Sequence, residues 1–286
     1  MKLDIEGFDL NEFIDRTLAE DLGYEFEGGG HDITSSSVIP EDTQFEGAIT
    51  SREELVVAGM PIAEAFFRNL DPKIEIEILC SEGERVKPDT KLMCINGNAR
   101  AILTAERSAL NTIQHMSGVA TIVRRYVEAM DNPNCTLLDT RKTIPGLRQL
   151  EKYAVRLGGG SNHRLGLWDI AMIKDNHVQV AGGVAQAVQR AIEAGVAKII
   201  CEVDTIDQIE PAIQAGATRI LLDNMEPSTL RKAVKIVSGR APTEASGGIT
   251  LETIKAMANT GVDYISVGRL TQSAPAMDIG LDLFFA

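Results

Sequence analysis

Residues 197–268 read AKIICEVDTIDQIEPAIQAGATRILLDNMEPSTLRKAVKIVSGRAPTEASGGITLETIKAMANTGVDYISVG. Within this stretch a short β-like run, a polar or glycine residue at its end, and a helical pattern recur. The runs are AKIICEV (197–203), TRILLD (218–223), TEASGG (243–248) and DYISVG (263–268). From Glu202 to Asp223, Ser246 and Gly268 the steps are 21, 23 and 22 residues, which suits one strand plus one helix per repeat. Upstream, CTLLD (135–139) and IAMIK (170–174) extend the series, with helical candidates near 145–157, 183–194, 205–215, 226–238 and 250–260. Pro145 at a first turn and Gly195, Gly216 and Gly261 at helix ends are the expected punctuation. A parallel α/β architecture follows. A doubly wound open sheet would share the repetition, but nearly every run ends in a polar or glycine residue, which favours a barrel whose strand ends converge on one mouth.

The first hundred residues read differently. A capped amphipathic helix is expected from Asp9 to Leu22, with Phe13, Ile14, Leu18 and Leu22 on one face, followed by a loop at Gly28-Gly29-Gly30-His31-Asp32. β-like stretches near 44–52, 54–58, 74–79 and 91–95 flank a helix near 61–69, an α+β pattern without βα repetition. A long helix from about Ala101 to Met130 follows, and a domain boundary is expected inside or beside it.

Composition narrows the partners. Of 286 residues, 44% are hydrophobic and 24% charged, so a sizeable core is possible and wholesale disorder is excluded. A net charge of −13 argues against nucleic acid and anionic membranes as partners. The N-terminus carries Asp4, Glu6, Asp9 and Glu12 and no apolar run of a secretory leader, and no stretch reaches the ~18 apolar residues that span a bilayer. Cys80, Cys94, Cys135 and Cys201 form no C-x-x-C pair and read as reduced core residues of a cytoplasmic protein.

Against this acidic background, residues 141–177 carry seven cations and three acids, leaving the rest of the chain at −17. Such an island points to an anionic small molecule. Arg148, Lys152 and Arg156, spaced i, i+4, i+8, read as a solvated or subunit-facing stripe. Arg141, Lys142 and Lys174 sit at or just past strand ends, where a barrel presents side chains to its ligand. His163, after the glycine run 158–160, is either a satisfied structural histidine or, with Arg164, part of an anion site. Glu202 and Asp223 end consecutive strands, where carboxylates either pair with the lysines or hold a divalent metal around a phosphate substrate. Ser246, Gly247 and Gly248 precede a helix, and Gly268 ends the next strand, the usual place of a barrel's phosphate pocket.

The stretch DTRKTIPGLRQLEKYAVRLGGGSNHRLGLWDIAMIKDNH (139–177), with EV (202–203), LLDNM (221–225), EASGGIT (244–250) and GVDYISVG (261–268), resembles the quinolinate phosphoribosyltransferase family, also called nicotinate-nucleotide pyrophosphorylase (carboxylating). EDLG, GHDITS and LTAERSALN in the first part resemble the same family. The resemblance implies an N-terminal open α/β sandwich over 1–113, with 275–286 packing back on it, and an incomplete, seven-stranded α/β barrel over 114–274. It implies a homodimer, or an assembly of dimers, with active sites shared between subunits. The implied reaction joins quinolinate to phosphoribosyl pyrophosphate with Mg2+, giving nicotinate mononucleotide, pyrophosphate and carbon dioxide in NAD biosynthesis. By the same resemblance Arg141, His163, Arg164 and Lys174 surround the quinolinate carboxylates, and Arg107 enters from the partner. Lys142 and Lys174 reach phosphate oxygens, Glu202 and Asp223 face the ribose and metal, and Ser246, Gly247 and Gly268 hold the 5′-phosphate.

Two places depart from the family pattern. Asp204 stands where a glutamate is usual, and Arg269 and Gln272 stand where alanine and histidine are frequent. Gln272 can still donate a hydrogen bond but cannot become cationic. Three rivals share the fold-level reading: a transferase acting on nicotinate, a lyase forming a Schiff base at Lys142 or Lys174, and a ligand-binding relative without activity. A cation set sized for two carboxylates argues against the first, and the retained carboxylates Glu202 and Asp223 argue against the last.

Overall fold

The structure is a computed structural model that describes residues 3, 5–27 and 29–284. Asp4 and Gly28, and the last two positions of the expected 275–286 segment, lie outside the described residues. In chain order the elements begin with α1 (Leu10–Leu22), α2 (Ile33–Val38), β1 (Gln44–Ser51), β2 (Leu55–Val56), α3 (Met60–Leu70), β3 (Glu75–Ile78), β4 (Arg85–Val86) and β5 (Lys91–Asn98). The chain continues through α4 (Ala99–Met130), β6 (Thr136–Leu138), α5 (Arg148–Gly158), β7 (Ala171–Ile173), α6 (Asp175–Ala181), α7 (Val184–Glu193) and β8 (Ile199–Val203). It ends with a 3-10 turn (Ile206–Gln208), α8 (Ile209–Ala215), β9 (Arg219–Asp223), α9 (Pro227–Val237), β10 (Thr243–Ser246), α10 (Ile254–Ala258), β11 (Tyr264–Ser266), α11 (Arg269–Gln272) and β12 (Ile279–Leu283).

Two compact units share these elements. The first holds Met1–Ile122, Gln149–Gly158 and Ala274–Ala286; the second holds Val123–Arg148 and Gly159–Ser273.

In the first unit an antiparallel sheet runs in the order β12-β1-β5-β3, beside a two-stranded β2-β4 pair. β12 closes the sheet by pairing with β1, Ile49 opposite Leu281. The Asp9 carboxylate caps α1 by accepting the Glu12 N–H, and Phe13 of α1 packs edge-on against Phe66 of α3 at 6.0 Å. Inside α4, Ser117 and Thr121 hydroxyls accept the N–H groups of Ala58 and Val56, so the helix also satisfies the irregular segment after β2.

The two compact units part at 122/123, and 149–158 joins the first unit. The reason is local bonding along α5: Gln149 donates to the Glu6 carbonyl, Glu151 lies 2.9 Å from His115, and the Tyr153 hydroxyl donates to Glu82. The expected solvated stripe on this helix is broken for the same reason. Lys152 is 1% exposed and Glu151 fully buried, while Arg156 stays exposed over the Tyr153 ring.

The second unit is a parallel sheet in the order β6-β11-β10-β9-β8-β7. β8 is buried along its whole length, as an inner parallel strand covered on both faces must be. Each strand of the expected repeat is present, close to its sequence range. The sheet has six strands among the described residues rather than the seven expected. Where a seventh would lie, Ser161 makes a single parallel bridge to Leu138. The ladder stops there because the next N–H groups turn away: His163 donates its N–H to the Asp139 carboxylate, and Asn162 donates its side chain to the same group.

Candidate active site

The strand ends of the second unit meet at one cavity of about 690 Å³. Residues following both edge strands, β6 and β7, line it together with residues from the four strands between. At roughly 4.8 Å per strand, a flat sheet of this width would hold its edges more than about 20 Å apart, so the sheet is curled around the cavity.

The cationic side is set by the loops after β6 and β7. Asp139, fully buried at the end of β6, pins the segment that carries His163 and Arg164. Arg164 reaches the Ile170 carbonyl through a terminal nitrogen at 3.0 Å. Burial and then the charge of neighbouring Arg141 push its guanidinium below the usual arginine value. The Nε of Arg141 is itself buried with no hydrogen-bond partner. Two like charges beside one cavity suit an anion, which would relieve their repulsion. Lys142 is exposed, and its backbone is held by the Thr140 hydroxyl and, through its carbonyl, by Thr271.

Lys174 follows β7 and opens α6, with its N–H given to the His177 ring. Its Nζ lies 2.5 Å from Oε2 of Glu202, at the end of β8. The lysine side chain is 47% exposed and the glutamate 7%, so the pair sits on the cavity wall with its cationic member outward. On the next strand Asp223 accepts the Asn224 side-chain amide at 2.6 Å. Asn224 adopts φ 51° and gives its N–H to the Ser246 carbonyl, a left-handed turn that asparagine tolerates.

Opposite lies the glycine cradle. Gly247 has φ 95°, and a Cβ there would stand 2.1 Å from the Asn224 Oδ1, so only glycine fits. A Cβ on Gly268 would meet Lys142 at 2.7 Å. Backbone groups are thereby left open to a ligand, the arrangement that suits a phosphate.

Arg141, Lys142, His163, Arg164, Lys174, Glu202, Asp223, Ser246, Gly247 and Gly268 all line the cavity. Arg107 does not; it is exposed on α4 in the first unit. Asn224 and Glu244 also line the cavity although strand-end spacing does not single them out, and Asp139, the polar end of CTLLD, supports the loop behind it. A signal for Asn224 is present, since an asparagine directly after a strand-end aspartate suits a left-handed turn. No group of three or more His, Cys, Asp or Glu among the described residues could cage a metal ion. Two carboxylates at adjacent strand ends do fit Mg2+, which commonly takes one or two protein carboxylates and completes its shell with phosphate oxygens and water.

Fold and cavity together define a parallel α/β protein that takes multiply anionic small molecules at the carboxyl ends of its strands. Residues 119–282 match the C-terminal domain of quinolinate phosphoribosyl transferase, and residues 32–117 match its N-terminal domain. The chain belongs to this family. It is 40% identical to the Nicotiana tabacum quinolinate phosphoribosyltransferase (decarboxylating) 1b, over 96% of this chain and 83% of that one. It is also 40% identical to a probable nicotinate-nucleotide pyrophosphorylase (carboxylating) of Bacillus subtilis, over 96% and 93%. Among solved structures, the nicotinate-nucleotide pyrophosphorylase of Ehrlichia chaffeensis superposes with a TM-score of 0.91 at 39% identity, covering 97% of this chain and all of that one.

Proposed function

We propose that the protein is a decarboxylating phosphoribosyltransferase that joins quinolinate to phosphoribosyl pyrophosphate, yielding nicotinate mononucleotide, pyrophosphate and carbon dioxide for NAD biosynthesis. The observation that carries this reading is the juxtaposition of Arg141 and Arg164 in a cavity that also holds a glycine cradle. A dianion meets a polyanion here, and without such cations their repulsion would keep them apart.

Arg141, Arg164 and Lys174 take the two ring carboxylates, with His163 behind them. Ser246, Gly247 and Gly268 receive the 5′-phosphate. Lys142 and Lys174 neutralise the pyrophosphate, and Glu202 and Asp223 face the ribose hydroxyls, where positive charge develops as the leaving group departs. The pyridine nitrogen forms the new bond to the anomeric carbon while the bond to pyrophosphate breaks with its electron pair. The resulting pyridinium ring accepts the electrons released when carbon dioxide leaves the adjacent carbon, which then takes a proton. Held by Glu202 and Asp223, Mg2+ would offset charge on the pyrophosphate.

The cavity's curled sheet supports an incomplete α/β barrel, with the Ser161 bridge as the remnant of a seventh strand. A homodimer is supported by apolar surface: Leu167 and Trp168 are 73% and 79% exposed, and a second copy would cover them. Arg107 then reaches the cavity of the partner. Cytoplasmic residence is supported by four free cysteines, of which burial pushes the Cys80, Cys135 and Cys201 thiols up to about 12. Among the described residues no helix is long and apolar enough to cross a membrane.

Competition between ring acids tests the substrate assignment. Quinolinate is expected to exceed nicotinate in kcat/KM by at least about 10²-fold, because the missing carboxylate strands buried cations. Equal turnover of the two acids contradicts the assignment.

A further inference from the structure

The two ring nitrogens of His163 face different neighbours: Nδ1 is hydrogen-bonded to the main chain, and buried Nε2 lies within ion-pair distance of a carboxylate. Nδ1 accepts the N–H of Arg164 at 2.7 Å, so the ring's proton lies on Nε2. Nε2 stands 3.3 Å from Oε2 of Glu244. Glu244 is fully buried in β10, and its Oε2 also receives a guanidinium nitrogen of Arg219 at 3.1 Å. Arg219 is fixed in turn, lying over the Tyr264 ring of β11 at 4.2 Å. Burial by itself would raise the Glu244 carboxyl, yet His163, Ser266 and Arg219 together hold it below its ordinary value. A carboxylate anchored from the strands on either side therefore faces a histidine whose remaining nitrogen holds the main chain of the next residue.

We propose that Glu244 is a positioning residue for substrate binding: it fixes the His163 ring in the Nε2–H form, and the ring's Nδ1 anchors the backbone from which the Arg164 guanidinium extends. This deepens the function proposed above and rests on it for the identity of the substrate. Glu244 does not itself touch quinolinate, since a buried carboxylate would repel a dicarboxylate. Glutamate suits the place because a neutral acceptor could hold the imidazole but would leave the Arg219 guanidinium without its counter-charge. His163 accordingly serves the site as a strut between Glu244 and Arg164.

The test has two arms. In the first, the protein is labelled with 15N-histidine, and the His163 signals are assigned by their loss in His163→Asn. Long-range correlation spectra are expected to show Nε2 protonated and Nδ1 bare. A protonated Nδ1 overturns the proposal. This arm needs no turnover and no variant of Glu244, so it decides the point even where substitution prevents folding. It also stands apart from the functional reading, which fails separately if the unaltered protein does not turn over quinolinate.

In the second arm, Glu244→Ala is expected to raise the KM for quinolinate roughly tenfold or more while leaving that for phosphoribosyl pyrophosphate within about twofold. Glu244→Gln, which keeps an acceptor oxygen, should recover most of the loss. In a His163→Asn background, Glu244→Ala should add less than about twofold, because the path through the ring is already cut. Additive losses, or equal effects on both substrates, overturn the proposal.

Discussion

Two carboxylates drawn away from water, half-buried Glu82 in the first unit and fully buried Glu244 in the second, are treated in opposite ways. In the first unit Glu82 caps the start of α3, accepting the N–H groups of Gly59 and Met60 and the Tyr153 hydroxyl. Those bonds do not match the cost of burial, and its carboxyl is pushed above the ordinary value of 4.5. In the second unit Glu244 is fully buried, but His163, Ser266 and Arg219 outweigh that cost and hold it below the same value. Burial alone does not distinguish a structural acid from one in a functional site. The charges gathered around it do, and in this chain they gather at the parallel strand ends.

The largest effects should test whether the division of labour is complete. Lys174→Ala removes a cavity cation and leaves the Glu202 carboxylate without its lysine; activity is expected to fall by about 10³-fold or more. Arg107 lies in the first unit, and if it completes a partner's site, Arg107→Ala should be comparably damaging. Mixing the two inactive variants under conditions shown by native mass spectrometry to exchange subunits should restore about a quarter of wild-type activity, since half the dimers are mixed and each has one whole site. No recovery after verified exchange would leave all of the chemistry to residues of a single subunit.

Next come the strand-end carboxylates. Glu202→Gln and Asp223→Asn should each lower kcat by about 10- to 10³-fold while changing quinolinate affinity little, as both are assigned to the phosphoribosyl half. Glu82→Gln, by contrast, should leave kcat within about twofold and lower thermal stability. A kcat loss at Glu82 comparable to that at Glu202 would erase the contrast between the units.

Acid unfolding should sharpen it. A carboxyl raised in the folded state costs stability as pH rises through and above 4.5, so wild type should lose ground relative to Glu82→Gln over that window. A carboxyl lowered in the folded state gives stability that is present above 4.5 and lost as pH falls through its folded value, so wild type should lose ground relative to Glu244→Gln on acidification. Denaturant titrations across this range check the two opposite slopes; slopes of the same sign would contradict the account.

The smallest effect concerns Gln272, which lines the cavity near Gly268. Gln272→His should change the KM for phosphoribosyl pyrophosphate only a few-fold, because a hydrogen-bond donor is kept. Complete inactivation would mean that local packing forbids the imidazole.

What can be read from the sequence follows the range of the interactions. The parallel repeat is legible because each strand and helix is local and its end residue points to the ligand. The return of β12 is legible only through the family resemblance, which packs 275–286 back on the first domain, because its partner β1 lies far back in the chain, at Gly47–Ser51, and its run IGLDL carries no turn signal tying the two together. The place of α5 is hidden for a similar reason: its amphipathic spacing shows an apolar face, but only the contacts of Glu151 and Tyr153 reveal that Lys152 goes inside. At the site, residues at strand ends stand out, whereas Glu244, inside β10, does not, since its importance depends on Arg219 and His163 meeting it across the sheet.

The central claim is that the cationic cavity of the second unit performs a decarboxylating phosphoribosyl transfer. Quinolinate labelled with 13C at the carboxyl next to the ring nitrogen, incubated with phosphoribosyl pyrophosphate and Mg2+, tests it in one experiment by following labelled carbon dioxide and nicotinate mononucleotide together. The account predicts that the two appear in equal amounts with the wild-type protein, and that both are lost with Arg141→Ala. Mononucleotide without carbon dioxide, carbon dioxide without mononucleotide, or undiminished turnover by Arg141→Ala would contradict it.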